Sequence, residues 1–188
     1  VIGAGNIGQH VIKIAKGFGM HVIAYDANQQ SFIADLLHFQ YAGTVEEVLK
    51  KADIITLHVP SNKHTHHLIN KESLSLVKKG ALLINTSRGD VVDTDALYEA
   101  LLKRRLGGAG LDVVEGERLV KEDKALLFDK NPRDLAKLLE NKEIFHMDNV
   151  VYTPHNAFNS REALHRILEV TAENIEAVRK GSAQNVVS

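Results

Sequence analysis

The 188-residue chain contains no cysteine, which excludes a disulfide framework, a thiolate metal site and a cysteine nucleophile. It has no surplus of positive charge either, because 23 lysines and arginines stand against 24 aspartates and glutamates. A basic surface for nucleic acid or an anionic membrane is therefore not indicated. No apolar run is long enough for a membrane span and no signal peptide is recognisable, so we expect a cytoplasmic protein.

Little sequence precedes the first motif, a G-x-G-x-x-G run over Gly3-Ala4-Gly5-Asn6-Ile7-Gly8. A central parallel strand usually needs about five or six residues, so we expect that the chain begins inside its first strand. In such a run the first glycine allows a tight turn, the second lets backbone approach a phosphate, and the third lets a helix pack on the sheet. The run therefore predicts a dinucleotide pyrophosphate site at a helix N-terminus.

The sequence around the glycine run has the context that this motif requires. Residues 7–18 carry apolar side chains at helical spacing, and residues 21–26 form a buried strand that ends in Asp26. Asp26 lies 18 positions after Gly8 (26 − 8). A carboxylate there accepts hydrogen bonds from a ribose 2′-hydroxyl and repels a 2′-phosphate, which favours NAD over NADP.

Strand-like and helical segments alternate along the rest of the chain. Further strands are predicted over residues 53–59, 81–86, 108–114 and 150–153, with helices beginning after Thr44, Asn70, Asp93 or Thr94, and near Arg161. This alternation predicts an α/β fold with a doubly wound parallel sheet in three αβα layers, a Rossmann-type domain over residues 1–188. The charged residues 118–148 indicate a helical surface insert, and residues 160–188 a C-terminal helix and tail.

Chemically unusual residues follow three of the predicted strands, where ligands bind in an open parallel sheet. Arg88 can hold a substrate carboxylate through two parallel hydrogen bonds. His155 can donate a proton to a carbonyl oxygen as a hydride arrives at its carbon, and Glu117 can orient that imidazole. The three residues together predict a hydride-transfer site.

The chain resembles the D-isomer-specific 2-hydroxyacid dehydrogenases along nearly its whole length, except residues 118–148. The motifs that carry the resemblance are Gly3-Ala4-Gly5-Asn6-Ile7-Gly8, Leu57-His58-Val59-Pro60, Asn85-Thr86-Ser87-Arg88-Gly89, Leu111-Asp112-Val113-Val114-Glu115-Gly116-Glu117 and Thr153-Pro154-His155-Asn156-Ala157-Phe158. Within the family, the spacing of Glu117 and the presence of Phe158 are similar to the D-lactate dehydrogenases.

The resemblance implies roles for individual residues. Arg88, Glu117 and His155 are expected to be catalytic. The cofactor contacts that it implies lie at Gly3, Gly5, Asn6, Ile7, Gly8, Asp26, Val59, Pro60, Thr65, Thr86, Ser87, Arg88, Asp112 and His155. The family's first domain has no counterpart here, and the C-terminal tail would return to it. We therefore expect this chain alone to bind NAD but to catalyse poorly, and the family is usually a homodimer through this domain.

Two alternatives to this interpretation remain. His64, His66 and His67 crowd one loop, but they share no regular face and no acid is evident nearby, so the sequence predicts a solvated loop and no metal site. The second alternative is functional: an NAD-sensing corepressor-type module, or a hydroxypyruvate reductase or phosphoglycerate dehydrogenase of the same family. Small 2-oxo acids, NAD and a second copy are thus the expected partners.

Overall fold

The computed structural model describes residues 1–117, 139 and 141–186. The chain divides into two compact units, Val1–Pro154 and His155–Ser188. Within the described ranges, none of the helices combines the length and the apolar character that a bilayer crossing requires. The predicted insert falls mostly on residues 118–138 and 140, which lie outside the described residues.

The first unit is built on parallel strands. Their bounds are β1 Ile23–Ala24, β2 Gln40–Tyr41, β3 Ile54–Leu57, β4 Ala81–Asn85, β5 Leu106–Leu111 and β6 Val150–Tyr152. Strand β1 pairs with β2, and β3, β4, β5 and β6 are hydrogen-bonded neighbours in that order. Ile2 makes parallel bridges to Tyr25 and to Leu57, so residues 1–2 lie between β1 and β3. Chain order therefore reverses at residues 1–2, which is the topological switch point of a doubly wound sheet.

Helices connect the successive strands. They are α1 Asn6–Gly17, α2 Ser31–Leu37, α3 Val45–Lys51, α4 Lys71–Leu76 and α5 Thr94–Leu102, with a 3₁₀ turn at Gly89–Val91. Three predicted helix starts are confirmed by side-chain caps. Thr44 accepts from the N–H of Glu47 at 3.2 Å, and Asn70 and Asp93 each accept two backbone N–H groups at the starts of α4 and α5.

Two local sequence patterns differ from their usual geometry. Glu47, three residues after Thr44, is typical of a capping box, but its carboxylate accepts from the N–H of Gly43, one residue before the cap. Gly80 follows a helical pattern and is typical of a helix end, but α4 ends at Leu76. Gly80 instead has φ +83° in the turn into β4, a conformation that glycine adopts without strain.

The core of the first unit lies along the central strands. Ile55, Leu57, Leu83 and Leu106 are fully buried there, together with Leu101 of α5. Val1, Ala4, Ile12, Ala24 and Phe39 form a second cluster beneath α1.

The second unit contains one long helix, α6 Arg161–Arg179. Ser160 caps it by accepting from the N–H of Ala163. The helix ends beside Gly181, whose φ is +76°. These bounds agree with the predicted C-terminal helix.

Candidate functional site

The glycine run follows residues 1–2 and begins α1 at the switch point. Gly3 has φ +93°, and a Cβ on it would lie 2.6 Å from the carbonyl oxygen of His58. A Cβ on Gly8 would lie 2.0 Å from the carbonyl oxygen of Gly3. Both contacts are too short for any side chain, so these glycines hold the loop against α1 and β3.

Gly5 differs from Gly3 and Gly8, because a Cβ there would meet no atom of the described residues within 4 Å. Other residue types also adopt its φ of −70°, so neither the backbone conformation nor a contact within the described residues requires glycine at this position. Gly5 caps α1 without a side-chain hydrogen bond, and Ile7 in the first turn is 68 % exposed. The open space in front of a helix N-terminus fits the close approach of a phosphate.

Asp26 follows β1 and faces the glycine loop. Its Oδ2 accepts from the N–H of Ala4 at 2.7 Å, and its Oδ1 accepts from the N–H of Asn28 at 2.8 Å. The carboxylate therefore braces the loop. Each oxygen keeps a second lone pair, so the predicted contact with a ribose hydroxyl is compatible with these bonds.

The segment after β3 carries three predicted cofactor residues. Val59 is half-buried and Pro60 is exposed. The hydroxyl of Thr65 donates to the carbonyl oxygen of Pro60 at 2.5 Å and accepts from the N–H of Asn62 at 3.0 Å. The structure thus gives Thr65 a role in closing this loop, and its contact with a cofactor stays a prediction.

His58 lies beneath the glycine loop, and no role is predicted for it from the sequence. Its Nε2 is 2.9 Å from Oγ1 of Thr56, and its carbonyl oxygen blocks a side chain at Gly3. Burial, with a smaller contribution from the amino group of Val1, lowers the pKa of His58 to about 4. The imidazole is therefore neutral near pH 7.

The turn after β4 is organised by a residue that the motif analysis did not single out. The side chain of Asn85 is buried, with 1 % exposure, and its Oδ1 accepts from both the N–H and the hydroxyl of Ser87. Its Nδ2 donates to the carbonyl oxygen of Arg88 at 2.9 Å. The amide thus fixes the turn, with Thr86 and Arg88 exposed on it and Ser87 buried. A polar residue ending an otherwise apolar strand was the signal for this role.

The turns after β4 and β5 are in direct contact. A Cβ on Gly89 would lie 2.1 Å from the carbonyl oxygen of Val114 and 2.6 Å from the nitrogen of Glu115. Only glycine permits this approach, which places the Arg88 turn against the segment that leads to Glu117. Glu117 itself is half-buried.

Asp112 lies at the same edge, 3 % exposed. Its Oδ1 accepts from the hydroxyl of Thr153 at 2.5 Å, and its N–H donates to the carbonyl oxygen of Asn85. These bonds tie the carboxyl ends of β4, β5 and β6 together. The turns that carry Arg88 and Asp112 and the residue that follows β6, Thr153, therefore meet at one edge of the sheet.

His155 belongs to the second unit. Its φ is 52°, in the left-handed region that few non-glycine residues occupy, and its ring centroid is 6.5 Å from that of Phe158. The sequence places it two residues after Thr153. Its juxtaposition with Arg88 and Glu117 stays a prediction.

A cavity of 820 Å³ lies at the other end of the first unit. It is lined by the last turns of α1 and by residues at the starts of the strands, among them Phe18, Val22 and Ile54. None of the predicted site residues lines it. Ligands of open α/β sheets bind at the carboxyl ends of strands, so this cavity is not the candidate site.

Comparison with known proteins agrees with this geometry. The family model "D-isomer specific 2-hydroxyacid dehydrogenase, NAD binding domain" matches residues 1–157. D-3-phosphoglycerate dehydrogenase of Methanocaldococcus jannaschii is 38 % identical over 189 residues, covering 100 % of this chain and 32 % of that protein. Glyoxylate reductase of Korarchaeum cryptofilum is 39 % identical over 181 residues, with 96 % and 48 % covered.

A solved structure extends the comparison to three dimensions. D-lactate dehydrogenase from Aquifex aeolicus, complexed with NAD and lactic acid, superimposes with a TM-score of 0.87 and 41 % identity. The alignment covers 96 % of this chain and 52 % of that one. The chain thus spans about half, or less, of the length of each of these three proteins.

Proposed function

Since this chain belongs to the D-isomer-specific 2-hydroxyacid dehydrogenase family, as its NAD-binding domain, we propose that the full-length protein transfers a hydride between NADH and a 2-oxo acid. The observation that carries the proposal is the sheet edge at the switch point. There the glycine loop leaves open space at Gly5, and the Arg88 turn packs against the segment leading to Glu117. A dinucleotide bound at the glycine loop and a substrate carboxylate bound by Arg88 would then lie along one edge of the sheet.

The glycine loop, Asn6 and Ile7 would hold the pyrophosphate, Asp26 the adenosine ribose, and Val59, Pro60 and Thr65 the adenine side. Thr86, Ser87 and Asp112 would line the nicotinamide end. Their positions along the carboxyl edge support this assignment, as does the resemblance. When bound, NADH supplies a hydride to the carbonyl carbon of the substrate.

Arg88 is assigned to the substrate carboxylate. One guanidinium N–H already donates to the carbonyl oxygen of Ser87 at 2.7 Å, which orients the group. A guanidinium has five N–H donors, so a pair remains for bidentate binding of a carboxylate. The positive charge also stabilises negative charge that develops on the adjacent carbonyl oxygen.

His155 is assigned as the proton donor. As the hydride reaches the carbonyl carbon, the imidazolium donates its proton to the carbonyl oxygen, and the products are a hydroxyl group and a neutral imidazole. Glu117 would accept from the second ring nitrogen and favour the cationic form. In the reverse direction the neutral imidazole takes the hydroxyl proton.

We propose pyruvate and D-lactate as the substrate pair, in a cytoplasmic homodimer formed through this domain. Support for the substrate comes from Phe158, from the spacing of Glu117, and from the similarity to the Aquifex aeolicus enzyme. The relatives differ in the substrate that their names state, so the test compares pyruvate with glyoxylate, hydroxypyruvate and phosphohydroxypyruvate.

The deciding experiment uses the full-length protein and NADH oxidation with each of these acids. His155→Gln should lower kcat with pyruvate by about 10²–10⁴-fold, because proton transfer by a positioned side chain typically accelerates a reaction by about this factor. The affinity for NADH should stay within about threefold of that of the unmodified protein. His165→Gln, an exposed histidine on α6, is the matched control. Unchanged kcat in His155→Gln would remove His155 from this role.

The remaining outcomes distinguish the alternatives. NADH binding without turnover of any 2-oxo acid would favour an NAD-sensing module. A higher kcat/KM for one of the other three acids would identify that acid, instead of pyruvate, as the preferred substrate. The 188-residue chain alone should bind NADH and turn over little pyruvate, because closure of a second domain aligns hydride donor and acceptor. Turnover equal to that of the full-length protein would contradict this expectation.

A further inference from the structure

We propose that His66, His67 and Glu115 form a binding site for a transition-metal dication of the Zn²⁺ type. Each residue offers one ligand atom, and the three atoms lie within 4.8 Å of one another. The histidines belong to the loop between β3 and α4, and the glutamate follows β5. This site is separate from the proposed hydride-transfer residues and does not depend on their activity.

The fold supplies the acid that the sequence did not reveal. Glu115 is 48 residues beyond His67, yet its Oε1 lies 3.0 Å from Nε2 of that histidine. His64, the third histidine of the loop, is not part of the cluster. The expectation that no acid lies near this loop is therefore corrected.

His67 and Glu115 are held by contacts outside the cluster. The N–H of His67 donates to the carbonyl oxygen of Asp90 at 2.8 Å, and its carbonyl oxygen accepts from Asn70. The carbonyl oxygen of Glu115 accepts from Nδ2 of Asn141 at 2.9 Å. Because these backbones are fixed, little conformational entropy would be lost when the side chains converge on an ion.

The donor set determines which ion fits. Two imidazole nitrogens and one carboxylate oxygen suit Zn²⁺ and its neighbours better than Mg²⁺ or Ca²⁺, which prefer oxygen ligands alone. Ligands about 2.1 Å from a tetrahedral ion lie about 3.4 Å apart. The largest separation in the cluster, at most 4.8 Å, must therefore shorten by up to about 1.4 Å, while the 3.0 Å between His67 and Glu115 must widen slightly. The rings of His66 and His67 stack with centroids 4.0 Å apart, and binding requires them to turn out of this stack. His66 is exposed and His67 is half-buried, which leaves room for that rotation.

The test is calorimetric titration of the chelator-treated 188-residue chain with Zn²⁺. We expect one equivalent to bind, and His66→Asn, His67→Asn and Glu115→Gln each to weaken binding at least tenfold. His66→Asn is the most direct variant, since His66 is exposed and its ring stacks on that of His67. Thermal unfolding without metal shows whether each variant still folds.

Two histidines serve as matched controls. His64→Asn changes an exposed histidine of the same loop. His165→Asn removes a histidine that pairs with Glu169 on α6 at 3.2 Å and is not part of the three-residue cluster. Both controls should keep the affinity of the unmodified chain. Absence of binding at 100-fold molar excess of Zn²⁺, or equal losses in His64→Asn and His66→Asn, would overturn the proposal and indicate only adventitious binding to surface histidines.

Discussion

Two glycines of the same loop should respond in opposite ways to replacement by alanine. A Cβ on Gly8 would lie 2.0 Å from the carbonyl oxygen of Gly3, whereas a Cβ on Gly5 would meet nothing within 4 Å. Gly8→Ala should therefore damage the fold. Gly5→Ala should leave the fold intact and damage NADH binding.

The loss of stability expected for Gly8→Ala depends on whether the backbone of Gly3 can move away from the new methyl group. Gly3 cannot withdraw easily, because its N–H donates to Tyr25 at 2.8 Å and its other side faces the backbone of His58. A clash against such fixed backbone lies at the upper end of overpacking costs, about 3 kcal/mol. The better helix propensity of alanine returns about 1 kcal/mol. The net loss of about 2 kcal/mol corresponds to a decrease of roughly 4–8 °C in Tm for a chain of this size.

For Gly5→Ala two small effects nearly cancel. Alanine is a poorer N-cap than glycine by a few tenths to about 1 kcal/mol, and it restricts the unfolded chain by about 0.4–1 kcal/mol in the stabilising direction. Tm should therefore stay within about 2 °C. The added methyl group would occupy the space where a pyrophosphate approaches the backbone, so we expect NADH affinity to fall at least tenfold.

Far-UV circular dichroism measures Tm without cofactor, and NADH fluorescence measures affinity. The chain contains no tryptophan, so the nicotinamide signal is free of overlap from that residue. A Gly8→Ala protein that keeps the Tm of the unmodified chain would refute the steric argument. If Gly5→Ala binds NADH with the affinity of the unmodified chain, the pyrophosphate does not bind next to Gly5.

Two further predictions concern the half-buried His58 and Asp26, the acid after β1. The pKa of His58 falls from 6.5 to about 4 on folding, so the unfolded chain binds the proton first as the pH decreases. The free energy of unfolding should therefore decrease by roughly 1–3 kcal/mol between pH 6.5 and 4, a range that is reduced because the imidazole is partly exposed. Urea unfolding of His58→Gln should show a shallower pH dependence over that window, and identical slopes would contradict the assignment. Asp26→Asn removes the charge that repels a 2′-phosphate but keeps an acceptor for the N–H of Ala4, so the preference for NADH over NADPH should fall about tenfold or more. Fluorescence titration with both cofactors measures this ratio, and an unchanged ratio would place Asp26 away from the ribose.

Features set by neighbouring residues were predictable from the sequence. The glycine run and the caps at Thr44, Asn70 and Asp93 all depend on a few adjacent residues. Strand β2, Gln40–Tyr41, was not predicted, because two residues are too short to show any alternation.

Features set by long-range packing were not predictable. The contact between His67 and Glu115 joins loops that lie 48 residues apart in sequence. The role of Asn85 was open to prediction only in part: its position after an apolar strand signals a buried polar group, but not that both ends of its amide fix the Arg88 turn.

The backbone contact between Gly89 and Val114 links the proposed activity to the proposed metal site. It holds the Arg88 turn against the start of the Glu115–Glu117 segment, and no side chain intervenes to absorb a displacement. An ion bound between Glu115 and His67 would therefore act on the same segment that carries Glu117. Glycine at position 89 keeps the backbones of the two turns in direct contact, because any side chain there would overlap the carbonyl oxygen of Val114.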